Sequence, residues 1–402
     1  MAVLDATVRF LSSADAGAYS DLGYSAGKMI GLLDEVLVNG GPVKSVTSLV
    51  VASNIVTVTI AAGHDITMYG TGSDAFGPVV RVAGASPAGL NGDWRLASVP
   101  DNTTMTFEVS GISDQTATGT ITLRRAPLGW TKPYTGTNLA AYQMGGGNQR
   151  YLRVDDTGNY DAKLRGYEAM TGVSTGTGEF PTTALRSVGY YCTKRSGTTG
   201  ASPWFIVGTD KLFYIGIGAH SSQNAYEISV FGDLYDVAAG DAWATVLGAS
   251  LSQYSSYAYS NHPWYQITST NYLVICRPYT GVGGSHELQQ ASFNGCPAVG
   301  FSGNISLMDY PDPASNRLLL SGPSFAYAYG STGHLRGIFP GAVWVSNVVG
   351  DGELTTAPAL LYYKPPAGAG YASSKNLVGF PILVGNSSTY GFGFVDAVGP
   401  WE

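Results

Sequence analysis

Apolar residues at Met29, Leu32, Leu33, Val36 and Leu37 follow the i, i+3, i+4, i+7, i+8 spacing of one continuous helical stripe. Ser25 stands where a side chain would cap the start of that helix, and Asn39-Gly40-Gly41 is a strong stop. Nearly everything else alternates with period two. "NIVTVTIAA", "TMTFEVSG", "TGTITLRR", "RYLRVDD", "YEISVFGD" and "YLVICRPY" read as strands, each bounded by Gly, Asn, Asp or Pro. The pattern predicts a mainly β protein with one helix plugged against a sheet.

The short strands between Ser45 and Arg125 are spaced as in a small barrel or sandwich, with turns at "PAGLNGDW" (Pro87 to Trp94) and "VPDNTTMTFEV" (Val99 to Val109). The helix before this segment and the strand after it read as parts of one domain that the segment interrupts. Such an insertion costs little when the module's first and last strands lie side by side, because the host loop then spans a short gap. The predicted organisation is a discontinuous β-rich host domain over residues 1–44 and 126–305, an inserted small β module over 45–125, and a C-terminal β module over 306–402 beginning near the Pro-rich turn "DYPDPASN". The inserted module is expected to project as a spacer or contact platform. No repeat of fixed period is evident, which argues against a β-helix of regular coils.

Composition sharpens this picture. Charged residues are 12% of the 402, against roughly a quarter in an ordinary soluble domain, while the chain has 54 glycines and 26 tyrosines. So little charge leaves few groups to keep a large free surface soluble, and burial against neighbouring subunits is the first expectation. A net charge of −7 with no compensating basic run argues against a nucleic-acid groove. The start, "MAVLDATVRFLSSADAG", carries Asp5 and Arg9 within its apolar part and does not read as a signal peptide. No apolar run reaches the roughly eighteen residues of a membrane span, so no membrane insertion is expected. Cys192, Cys276 and Cys296 are odd in number and lack C-x-x-C spacing, which favours reduced thiols buried as small hydrophobes in a chain folded in a cytoplasm.

Few residues suggest chemistry. Gly23-Tyr24-Ser25-Ala26-Gly27 matches the G-x-S-x-G of a serine hydrolase, yet "DAGAYSDL" before it is no buried strand, and no alternation of strand and helix follows. It reads as a chance match in a glycine-rich chain. His64, His220, His262, His286 and His334 are scattered, in no metal-binding frame. Asp155-Asp156 and Asp233-Asp241 raise the question of paired carboxylates, but Asp155-Asp156-Thr157-Gly158 more simply ends a strand with a turn. Gly145 to Gly147 reads as a tight turn, not a phosphate loop. No catalytic residue, metal site or cofactor is expected. The densest recognition chemistry lies at Tyr254, Tyr257, Tyr259, Trp264, Tyr265 and Tyr272, aromatic rings among Ser, Asn and Thr. That mix suits an adaptable surface able to stack sugars, or strands packed on a neighbouring subunit, and the second reading is favoured.

The series "FLSSADAGAY…AGKMIGLLDEVLVNG", "GWTKPYTGTNLAAYQMGGGNQRYLRVDD", "RGYEAMTGVSTGTGEFPT", "FGDLYDVAAGDAW" and "LRGIFPG" resembles a family of tailed-bacteriophage virion proteins encoded among the tail, baseplate and fibre genes. In that family's usual form the "VNG" helix end runs almost directly into "GWT"; here Ser45 to Arg125 intervenes. The insert is itself similar to small β modules of phage tail proteins, on Ala88-Gly89-Leu90-Asn91-Gly92-Asp93-Trp94 and Thr106-Phe107-Glu108-Val109. The resemblance implies a non-enzymatic virion protein of the tail region, made in the host cytoplasm. Its expected partners are copies of itself, as a trimer or hexamer, and other tail or baseplate proteins. The alternatives are a receptor-binding tail-tip protein gripping a host glycan or pilus, and a capsid decoration protein.

Overall fold

A computed structural model describes residues 3–184, 187–195, 197–220, 225–235, 244–250, 264, 274–276, 286–291, 308–309, 320–328, 335–345, 347–349, 360–367, 372–383 and 390–401. The chain is mainly β, as its period-two patterning predicts, and each of the six segments quoted above contains a strand.

The helix forms over Lys28–Leu33 and continues as a wider π-helical stretch, Asp34–Asn39, in which Gly40 N–H donates to the Glu35 carbonyl. Its predicted stripe is buried without exception and packs between two sheets. One sheet is built from Thr131–Gly136, Leu139–Gln143, Tyr151–Asp155, Asp161–Tyr167 and Tyr190–Thr193, all antiparallel. The facing sheet begins with Arg9–Ser12, Trp204–Gly208, Leu212–Ile217, Glu227–Asp233 and Thr245–Gly248.

This second sheet is apolar on both faces. Trp204, Ile206, Phe213, Ile215 and Phe231 join the helix in one core, whereas Phe205, Val207, Leu212, Tyr214 and Val230 point into another. A sheet apolar on both faces needs a cover on each. The second cover comes from the C-terminal region: Phe339, Val378, Phe380 and Val395 lie in the same core as Phe10, Phe205 and Tyr214. Tyr226 N–H donates to Pro381 O (2.8 Å), and Tyr235 and Ile338 exchange backbone hydrogen bonds. The C-terminal strands also belong to the same 14-stranded sheet, counted among the described residues. The expectation of a separate C-terminal module over 306–402 is therefore corrected. Those residues complete the host domain, because its central strands have a second apolar face, which they cover together with Phe10, Tyr69, Phe76 and Trp264.

The segment Lys44–Arg125 forms its own sheet around its own core of Leu49, Val56, Val58, Val80, Leu96, Met105, Phe107 and Leu123. Its first and last strands, Lys44–Ser45 and Thr122–Arg125, pair antiparallel, which brings the two host connections together. Val46 N–H donates to Ile121 O and Thr47 N–H to Thr59 O, so one continuous segment bridges both ends of the sheet and closes a small barrel. Trp94 stacks on Phe107 with ring centroids 5.2 Å apart, and Asn91 ties both backbone groups of Ala85 at 2.8 Å.

This barrel does not project freely, contrary to the expectation of a spacer. It lies along the open side of strand Arg9–Ser12, the edge of the large sheet. Arg95, 4% exposed, donates to the carbonyls of Val8 (2.6 Å), Asp5 (2.6 Å) and Gly77 (2.7 Å). The Tyr69 hydroxyl sits between Phe10 O (3.1 Å) and the Asp15 carboxylate (2.9 Å), and Arg125 closes on Asp15 at 3.3 Å. Asp93 binds both Arg81 and Arg9. An uncovered edge strand would offer its backbone to another chain; here Tyr69 takes the Phe10 carbonyl, and Arg95 ties the chain just before the strand, at Asp5 and Val8, to the barrel. Arg95→Ala is expected to cost about 2–4 kcal/mol in urea denaturation, since the buried carbonyls of Val8 and Gly77 and the half-buried one of Asp5 lose an ionic donor. Amide exchange should accelerate in Arg9–Ser12 and not in the barrel strand Ile55–Thr59.

Candidate functional site

The sequence candidates resolve first into structural roles. The expectation that Ser25 caps the helix is corrected: the N-cap is Gly27, left-handed at φ 82°, with no capping side chain of its own. The cap is supplied from 127 residues away, where Asp156 Oδ2 accepts the N–H groups of Met29 (2.7 Å) and Ile30 (3.1 Å). The other oxygen of Asp156 accepts the Lys194 ammonium at 2.5 Å, and both side chains are fully buried. Lys194 also donates to Ser25 O and Gly158 O, each at 2.6 Å, so its three protons are all used. Its neighbour Asp155 accepts from Thr157 N–H and O–H, the turn expected from sequence. One aspartate thus closes a turn and the other caps the helix.

A cleft of about 380 Å³ does open beside Ser25, lined in part by Asp21, Tyr24, Lys28 and Thr198. No histidine is among its described lining residues, and Lys28 is paired with Asp21.

The histidines do not assemble. His64 Nδ1 accepts Ile66 N–H at 3.0 Å, and His220 lies beside Glu227, 3.9 Å from its carboxylate. His262 and His334, and the side chain of His286, lie outside the described residues. Among the described residues no group of three or more His, Cys, Asp or Glu is placed to hold a metal ion. Cys192 is buried, and burial pushes its thiol up to about 12. Of the six aromatic residues assigned to a recognition surface, Tyr254, Tyr257, Tyr259, Tyr265 and Tyr272 lie outside the described residues. Trp264 is corrected: it is 4% exposed, and its indole N–H lies at 3.0 Å from Val343 O and 2.9 Å from Phe394 O. Its ring packs edge-on against Tyr214 and Phe380. It belongs to the core between the central and C-terminal strands, because an indole on an apolar strand face is worth more buried and hydrogen-bonded than exposed.

The cleft with the richest chemistry was not foreseen. It measures about 400 Å³ and gathers residues from separate parts of the chain, among them Asp5, Asn148, Asp210, Lys211, Tyr235 and Trp401. Gly147 and Asn148, at the end of the Gly145–Gly147 turn, form one wall, and the carboxylates explain the turn's composition. Gly145 and Gly146 donate to the Asp210 carbonyl, and a Cβ on Gly146 would meet Asp210 Oδ2 at 2.6 Å. At Gly147, with φ +59°, a Cβ would run into the Asp233 carboxylate. Asp233 accepts Asn148 N–H at 2.7 Å and the Thr245 hydroxyl at 2.5 Å, and burial raises its pKa above the ordinary carboxylate value. Asp241, its proposed partner in sequence, lies outside the described residues. What the sequence did hold was the "GGGN" turn and "FGD"; what it lacked was any sign that they meet. No protein-family model matches the chain, and no curated protein matches it either.

Proposed function

We propose that this chain is a non-enzymatic structural protein of a tailed-phage virion, located in the tail, baseplate or fibre region and assembling as a symmetric homo-oligomer of three or six copies. The observation that carries this reading is what the family-like segments do in the fold. Asp156 of "RYLRVDD" caps the helix of "AGKMIGLLDEVLVNG"; Trp130 of "GWT" packs on Phe213 and Phe231; "GGGN" and "FGD" lock to one another; Phe339 of "LRGIFPG" sits in the second core. The segments that carry the resemblance are the frame of the molecule and not a reactive centre. Low charge and strand-dominated architecture fit a subunit whose remaining surface is completed by neighbours.

Light scattering on the purified protein tests the reading: a mass three or six times the 42.0 kDa of one chain is expected, and a stable monomer at micromolar concentration would overturn it. A second reading, a tail-tip protein that binds a host glycan, is favoured by the aromatic and polar cleft at Trp401, and adsorption competition by the purified protein separates the two.

A further inference from the structure

We infer that the cleft between Asp210 and Trp401 is a binding site for an uncharged saccharide. At about 400 Å³ it falls within the range of small-molecule sites, and its walls come from stretches far apart in the chain, from Asp5 to Trp401, so the fold itself shapes it. Among the described residues two of its three carboxylates are already engaged. Asp5 Oδ1 accepts from Thr7 N–H (2.9 Å) and O–H (2.7 Å), and Asp233 is held by Asn148 and Thr245. Asp210 instead fixes the glycine turn through its backbone carbonyl, which leaves its carboxylate as an acceptor at the cleft. A ligand there must donate hydrogen bonds. Lys211, exposed at the rim, offers donors in return, and Trp401 with Tyr235 offers aromatic surface.

Vicinal hydroxyls that both donate and accept, on a ring with apolar C–H faces, satisfy this set. An anion is opposed by the excess of carboxylates over the single ammonium. A bound metal ion is opposed by the lack of three converging ligands among the described residues. The remaining competitor is an organic amine, which the test separates. The inference concerns binding alone and holds whatever the oligomeric state.

Saturation-transfer NMR on the full-length protein with neutral hexose and N-acetylhexosamine oligosaccharides, and with spermidine as the amine probe, decides it. Transfer to sugar ring protons is expected, weakened at least about tenfold by Asp210→Ala and unchanged by Ser25→Ala, which alters only the other cleft. Lys211→Ala, at an exposed position, provides a second variant that leaves the core untouched, and it should weaken binding as well. Absence of transfer from every sugar, transfer indifferent to both cleft variants, or binding of spermidine alone would each overturn the inference.

Discussion

Asp156→Ala is expected to be among the most damaging single substitutions in the protein, lowering stability by about 3–5 kcal/mol in urea denaturation. The magnitude follows from what is left behind. The Lys194 ammonium, fully buried, loses its carboxylate partner and keeps two carbonyls, and breaking a buried ion pair on one side typically costs this much. Met29 and Ile30 also lose the acceptor of their N–H groups, a loss comparable to removing an N-cap. Asp156→Asn retains an acceptor without the charge and should fall between Ala and the native chain. In the double variant Asp156→Asn with Lys194→Met no unpaired charge remains, so part of the loss should return. If Asp156→Ala proves too unstable to fold, the Asn variant and the double variant carry the same comparison. A cost below about 1 kcal/mol for both single variants, with no recovery in the double, would show that the pair does not hold the helix to its sheet.

The native chain is expected to lose stability as pH rises from about 6.5 to about 8, and Glu227→Gln should remove that dependence. Glu227 is 3% exposed, with the Thr193 hydroxyl as its hydrogen-bond donor at 3.0 Å; Asp161, Cys192 and His220 are titratable groups near it. Burial raises its carboxyl from 4.5 to about 8 in the folded chain. Between those values the folded protein holds a proton that the unfolded chain has released, so stability falls as pH rises through the window. His220 acts lower and in the opposite sense. Burial depresses it from 6.5 to about 4, so its contribution is complete above 6.5 and is lost as pH falls towards 4. Above 6.5 Glu227 therefore acts alone of the two, and the native chain should lose about 2 kcal/mol on reaching pH 8. Glutamine keeps the shape and a hydrogen-bonding group without the titration, so its stability should be level across the same range. Denaturant midpoints at the two ends of the window measure it, and an equal slope in the two proteins would assign the dependence elsewhere.

These two residues also mark where sequence reasoning reached and where it stopped. In "YEISVFGD" the period of two places Glu227 and Ser229 in phase with Phe231, so a carboxylate aimed at the helix-side core was legible in the pattern. The existence of that core on the far side was not. Trp264 shows the opposite error. Its neighbours are polar and aromatic, which suggests a surface, yet its indole is fixed between Val343 and Phe394 by strands 79 and 130 residues further along. The glycines of "GGGN" mark a turn in the sequence, but the reason for three of them is the approach of Asp210 and Asp233 from elsewhere in the chain.

By itself the sequence determined the strands, the buried stripe of the helix, the turns and the self-contained barrel, because each follows from alternation, turn chemistry or chain proximity over a few residues. Only the tertiary structure decided that the C-terminal strands cover the central sheet, that a distant aspartate caps the helix, that the barrel seals an edge strand, and that a cleft forms at Asp210. Side-chain periodicity states which way a residue points. What it points at is set by contacts between segments far apart in the chain, and no local preference encodes them.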